Sequence, residues 1–352
     1  MRLIGAIRGG CWAGLVLLSG CASLAYRVEP PVSPNNGGLH YLREVPPVAQ
    51  AAYQCGPAAL ESVIRYWGRE ADAQEIGRRL TIPGTRGVLN FTLAQYGRDQ
   101  GFWTEIREAG PEELKGWLRK GIPPIVMLHI GPFWLPAYHF VVLKGFNDPE
   151  RIFYANTGQP ETRAIPYARF QKRSQDAGRW TLIFCPPERV DWDLGAEEAS
   201  ELALLLERAG QLPAAERWYR IALNRNPKNP ILRFNLGNVY LKMNRLKEAK
   251  EIYLQLLKET PSDGPSGNNL AWVYLEENRT PEALRTIEAV LRNGAQRQYD
   301  LLDTLGLAYC RLKHYPQAKD CFREALEKVP SENVEARELI WHHSEACPPK
   351  IF

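Results

Sequence analysis

Gln54-Cys55-Gly56-Pro57-Ala58-Ala59-Leu60 is followed by Val63, Ile64 and Trp67. Leu60, Val63, Ile64 and Trp67 stand at i, i+3, i+4 and i+7, the spacing of one helix face. Pro57 suits the first turn of that helix, where its missing N–H is not needed. Cys55 therefore sits at a helix N-terminus, where the dipole favours an anion and so favours thiolate over thiol. A lone Cys-Gly would read more simply as a buried structural cysteine. The segments downstream give it a chemical context.

Three strand-like runs follow at Ile125–Ile130, Tyr138–Gly145 and Arg151–Asn156. Asn147-Asp148-Pro149-Glu150 supplies the turn between the last two. A hairpin turning near Asp148 predicts His139 roughly opposite Asn156, so that one side chain orients the other across the strand pair. Trp180–Phe184 adds a further strand. His129 reads as a core or edge histidine, Asp148 as a turn residue, and Trp134 and Tyr138 as a weak candidate substrate cleft.

Cys-Gly-Pro-Ala-Ala-Leu on a helix, His-Phe-Val-Val-Leu on a strand and an amide one strand later resemble the bacteriocin-processing, double-glycine peptidase family. The resemblance runs from about Val45 to Phe184. It implies an α+β papain-like fold with Cys55 as nucleophile, His139 as base and acid, and Asn156 as the residue holding the ring. It also implies a glutamine upstream of the cysteine that completes the oxyanion hole. Gln50 is the candidate and Gln54 its competitor. Three departures stand out. The family more often has Asp in the third place, Gln50 lies one residue nearer the cysteine than usual, and no fused transporter follows. A double-glycine leader is therefore not assumed as substrate.

From Ala196 the strand signals stop. Ala203, Gly237, Ala271 and Gly306 each follow a leucine, at intervals of 34, 34 and 35 residues. Ala215, Ala249, Ala283 and Ala318 come twelve residues later, and Pro227, Pro261 and Pro330 end three of the four units. Two small residues per unit let two helices cross closely. The period and positions resemble the tetratricopeptide repeat, an all-α solenoid. A helix from Val334 to His342 is expected as a cap with a polar outer face.

Met1–Gly10 carries two arginines and no acid, and Ala13–Leu18 is a short apolar run. This describes a secretory signal. Leu18-Ser19-Gly20-Cys21 resembles the bacterial lipobox, which implies lipidation at Cys21 and, with Ala22 next, an outer-membrane anchor facing the periplasm. The expected plan is thus a signal peptide at 1–20, a flexible tether at 21–44 rich in Pro, Asn and Gly, a peptidase domain at 45–187 and repeats with their cap at 197–345.

The chain has 352 residues, long enough for two cores, with 45% hydrophobic and 24% charged residues. Its formal charge of +4, from 44 basic and 40 acidic residues, and the absence of a basic stripe give no reason for a nucleic-acid partner. No C-x-x-C metal pattern or disulfide framework shows among seven cysteines, and no metal or cofactor is expected. The expected function is an envelope-anchored cysteine peptidase acting on a peptide or protein, with repeats that recruit substrate or a protein partner. The alternative is a degenerate peptidase domain that binds peptide without cutting it.

Overall fold

The structure is a computed structural model and describes residues 25–31, 35–36, 38–82, 87–132 and 137–347. Cys21 and Trp134 lie outside the described residues. The chain divides into two compact units between Val190 and Asp191.

The first unit is built on one sheet. Its described strands are β1 (Tyr26–Arg27), β2 (Asn35–Asn36), β3 (Leu39–Tyr41), β4 (Trp103–Glu108), β5 (Ile125–His129), β6 (Tyr138–Asn147), β7 (Ile152–Asn156), β8 (Arg163–Pro166) and β9 (Trp180–Cys185). The sheet order is β1-β8-β7-β6-β5-β9-β4, with β3 pairing both β2 and β6. All the strand pairings are antiparallel. Among the described residues, five α-helices accompany it: α1 (Cys55–Tyr66), α2 (Ala73–Leu80), α3 (Asn90–Asp99), α4 (Pro111–Arg119) and α5 (Tyr167–Gln175).

Strand alternation assigns the helices to faces. Along β7, Asn156 meets α1 through Ser62, while Phe153, three residues back, packs on Phe170 of α5. One core holds both layers: Leu60, Val63 and Ile64 of α1 belong to the same buried cluster as Val141, Val142 and Leu143 of β6 and Leu114 and Leu118 of α4. Of the apolar residues that predicted the α1 face, Leu60, Val63 and Ile64 are buried, and Trp67, at the helix C-cap, is partly buried. The 21–44 stretch, expected as a tether, contributes strands to this sheet. Tyr41 packs with Ile152, Tyr154 and Ala164, with Val28 and Leu39 against them. Its aromatic and aliphatic residues outweigh the proline and glycine that suggested a linker.

The second unit is all helical among the described residues. Four helix pairs follow one another: α6 (Ala196–Arg208) and α7 (Leu212–Arg225), α8 (Pro230–Lys242) and α9 (Leu246–Glu259), α10 (Gly264–Glu276) and α11 (Thr280–Arg292), α12 (Tyr299–Arg311) and α13 (Tyr315–Lys328). A last helix, α14 (Val334–Ala346), packs on α12 and α13. The small residues lie at the crossings. A Cβ on Gly237 would come within 2.9 Å of the Tyr253 ring, and one on Gly306 within 2.6 Å of Phe322.

The outer surface of α14 departs from expectation. Val334, Leu339 and Trp341 are exposed there, so it is not the polar cap foreseen. A disulfide between Cys310 of α12 and Cys347, just past α14, fastens this helix to the array. His343 Nδ1 also bonds the buried Asp303 carboxylate at 2.9 Å.

Candidate active site

Cys55 is the first residue of α1. The helix begins without a side-chain cap and without an acid in its first turn, so its positive end is not neutralised locally. Gly56 allows the approach of neighbouring chains, because a Cβ there would lie 2.6 Å from Val88 and 3.5 Å from Phe140. Cys55 lines a narrow cavity with Val48, Ala58, Ala59, Ser62, Phe140, Val142, Asn156 and Gly158. Sequence reasoning singled out Cys55 and Asn156 among these, but not Ser62 or Gly158.

His139 is buried on β6, with 3% of its surface exposed. Its Nε2 lies 3.1 Å from the Thr157 carbonyl oxygen. A carbonyl only accepts, so Nε2 carries the proton and, in the neutral ring, Nδ1 carries the lone pair. Burial pushes the pKa of His139 below its ordinary value, and the bond to Thr157 opposes that only in part. Thr157, whose carbonyl holds the imidazole, stands between Asn156 and Gly158, which both line the cavity.

Asn156 does not hold the ring. Its Nδ2 donates to the Pro46 carbonyl at 2.8 Å and to Ser62 Oγ at 3.1 Å, and its Oδ1 is buried with no partner among the described residues. The expected register is also displaced. Asn147 pairs with Ile152, a bulge at Lys144 inserts one residue in β6, and Asn156 comes opposite Val142 rather than His139. His139, three residues before Val142, is out of phase with that face and pairs instead with Leu128.

Gln50 and Gln54 separate clearly. Gln50 N–H donates to the Gly158 carbonyl at 3.1 Å. Its side chain fills the space beside Gly158, where an added Cβ would lie 2.2 Å from Cδ. Gly158 has φ +75°, a conformation that glycine adopts without strain. Gln54 instead packs on α2, with its Nε2 3.1 Å from where a Cβ on Gly77 would be. Of the two, Gln50 is the one beside a cavity-lining residue.

The other candidates have structural settings. Asp148 accepts from Lys115 Nζ at 2.5 Å and from Tyr167 O–H at 2.9 Å, which pins the β6–β7 turn to α4 and α5. His129 is buried against the half-exposed Tyr138, ring centroids 5.6 Å apart.

Residues 42–184 match the model of the Peptidase_C39 like family. The first unit is a Peptidase_C39-like domain. Tetratricopeptide-repeat models match residues 205–268, 267–289 and 299–332, so the Peptidase_C39-like domain is followed by tetratricopeptide repeats. Among curated proteins, cellulose synthase operon protein C of Pseudomonas fluorescens (strain SBW25) is 36% identical over 79 residues, which cover 22% of this chain and 6% of that protein. Among solved structures, a tetratricopeptide-repeat protein of Thermus thermophilus is 21% identical over 43% of this chain and 82% of its own, with a TM-score of 0.39. MamA of Desulfovibrio magneticus is 18% identical over 43% of this chain and 92% of its own, with a TM-score of 0.35.

Proposed function

We propose that the Peptidase_C39-like domain is a cysteine peptidase acting on a peptide or protein in the bacterial envelope. The observation that carries this reading is the setting of Cys55: an uncapped helix start on a cavity lined by Asn156 and Gly158, between which the Thr157 carbonyl holds the buried His139 imidazole in one tautomer. In this reading His139 Nδ1 takes the thiol proton as sulfur attacks the carbonyl carbon, then returns it to the leaving amine. The Thr157 carbonyl holds the ring in place of a third side chain. The Cys55 N–H and Gln50 stabilise the oxyanion of the tetrahedral intermediate. Water then releases the acyl group from Cys55.

The repeats are proposed to recruit the substrate or a partner protein, and Cys21 to carry the lipid anchor that keeps the protein at the outer membrane facing the periplasm. A binding module without turnover is the second reading. The turn of Asn156 towards Pro46 and Ser62, away from His139, favours it. Trapping envelope proteins on Cys55→Ala, then mixing each captured protein with wild type, separates the two. Cleavage by wild type and not by Cys55→Ala or His139→Ala supports the peptidase. Captured proteins that wild type leaves intact support the binding module.

A further inference from the structure

We infer that Lys144 is a positioning residue for this site, acting with Ser62 and Asn156 on the segment that carries Gln50; this rests on the reading of Cys55 as an acyl-accepting nucleophile. Residues 46–50 form neither helix nor strand, so no ladder fixes their backbone. Pro46 and Pro47 lack N–H groups, which leaves carbonyls as the backbone's handles. Two consecutive carbonyls are gripped from the domain interior. Lys144 Nζ donates to Val45 O at 2.6 Å. Ser62 Oγ donates to Pro46 O at 2.6 Å, and Asn156 Nδ2 donates to the same oxygen at 2.8 Å. The far end of the segment is held where Gln50 N–H meets the Gly158 carbonyl. The prolines restrict the backbone between these holds, so a grip at 45 and 46 fixes where Gln50 stands.

Lys144 owes its direction to the bulge, which adds it as the unpaired residue between Leu143 and Gly145. Bulges re-aim a side chain in this way. Lys144 is buried, with 2% of its surface exposed; its Nζ meets the Val45 carbonyl and lies 5.0 Å from the Tyr41 ring, within the influence of the Glu44 carboxylate. Taking this charge out of water costs stability, and the Glu44 carboxylate offsets that only in part, since burial still lowers the Lys144 pKa to about 8. Stability therefore does not account for a lysine here, whereas a strong donor aimed at one carbonyl does.

Two reactions of Cys55 in the full chain test this. Acylation by p-nitrophenyl acetate develops an oxyanion, whereas alkylation by iodoacetamide does not. Gln50→Ala is expected to slow acylation by about a hundredfold, the usual loss for one oxyanion donor. Lys144→Met is expected to slow it by at least about tenfold, with the alkylation rate of either variant within about twofold of wild type. The double variant should be no slower than Gln50→Ala alone, because Lys144 acts through Gln50. Equal losses in both reactions, or additive losses in the double variant, overturn the inference.

Hydrogen exchange at the Gln50 amide gives a reading free of chemistry. It should quicken about tenfold in Lys144→Met while the amides of β5 and β6 keep their protection. If wild-type Cys55 is not acylated, the peptidase reading fails, and this exchange still decides the positioning role. Unchanged exchange at Gln50 overturns it. Should Lys144→Met fail to fold, Ser62→Ala removes one of the two donors to the Pro46 carbonyl, leaving Asn156, and is read by the same measurements.

Discussion

The Thr157 carbonyl sets the chemistry open to His139. It accepts a hydrogen bond from Nε2–H and leaves Nδ1 as the basic atom, while burial favours the neutral ring. This has a consequence for stability. The folded-state pKa lies below the ordinary 6.5, so on acidification the unfolded chain takes up the proton first. The contribution of the neutral ring is therefore whole above about pH 6.5 and is lost as pH falls from there through the lower folded value. The urea midpoint of wild type should fall more between pH 7 and pH 5 than that of His139→Asn. Parallel lines for the two proteins would contradict it. The place of Cys55 at a helix start was legible in sequence, because a helix start and its apolar face declare themselves locally; the choice between Gln50 and Gln54 was not. Nor was the register of Asn156. It depends on where the turn falls: Asn147 pairs with Ile152, so an unbroken ladder would bring Asn156 opposite Leu143, and the bulge at Lys144, which nothing in Val-Val-Leu-Lys-Gly marks, moves it one residue to Val142.

At the scale of elements, each repeat turns between its helices through one left-handed residue. These are Gly210, Asn244, Asn278 and Lys313, spaced as the repeats are. Gly and Asn suit this conformation at a helix end, and lysine does not. Lys313→Gly is accordingly expected to stabilise the array by about 1 kcal/mol, seen as a raised thermal midpoint. A lowered midpoint would mean that the lysine side chain does more for packing than its backbone costs. The small residues at the crossings were readable because the same contact recurs four times. Strand β4 was not read, since Trp103–Glu108, at the sheet's end, has three charged residues among its six and only short apolar stretches. The last helix was read only in part. Its existence follows from spacing, but its fastening depends on Cys310 and Cys347, which are 37 residues apart. Closing a loop of that size restricts the unfolded chain by about 4 kcal/mol on the chain-entropy account. Cys347→Ser should cost up to that amount, and exchange in α14 should rise before exchange in α8 and α9. Equal rises in all three helices would show that the bridge stabilises the array as a whole and does not fasten its end alone.

At the scale of the whole molecule, the two units draw on different kinds of sequence information. The repeats follow from periodicity, and the front unit from one helix and one hairpin whose long-range pairing no period declares. The bridge between Cys310 and Cys347 also bears on where the chain works, because structural disulfides form and persist in oxidising compartments. Cys55, Cys185 and Cys321 are outside disulfides. Burial raises the thiol pKa of Cys321 to about 11, which disfavours its reactive thiolate. The export proposal thus has a joint signature. Protein extracted from membranes should have a mass that begins at Cys21 with acyl groups added. After unfolding without reductant, thiol reagents should label Cys55, Cys185 and Cys321 and leave Cys310 and Cys347 unlabelled. The same chain made without its first twenty residues and kept in a reducing cytoplasm should expose Cys310 and Cys347 as well. Finding those two thiols reduced in the membrane-extracted protein would remove the disulfide as support for export. An unmodified soluble protein beginning elsewhere would remove the anchor. The two readings fail separately, since one rests on redox state and the other on covalent mass at Cys21.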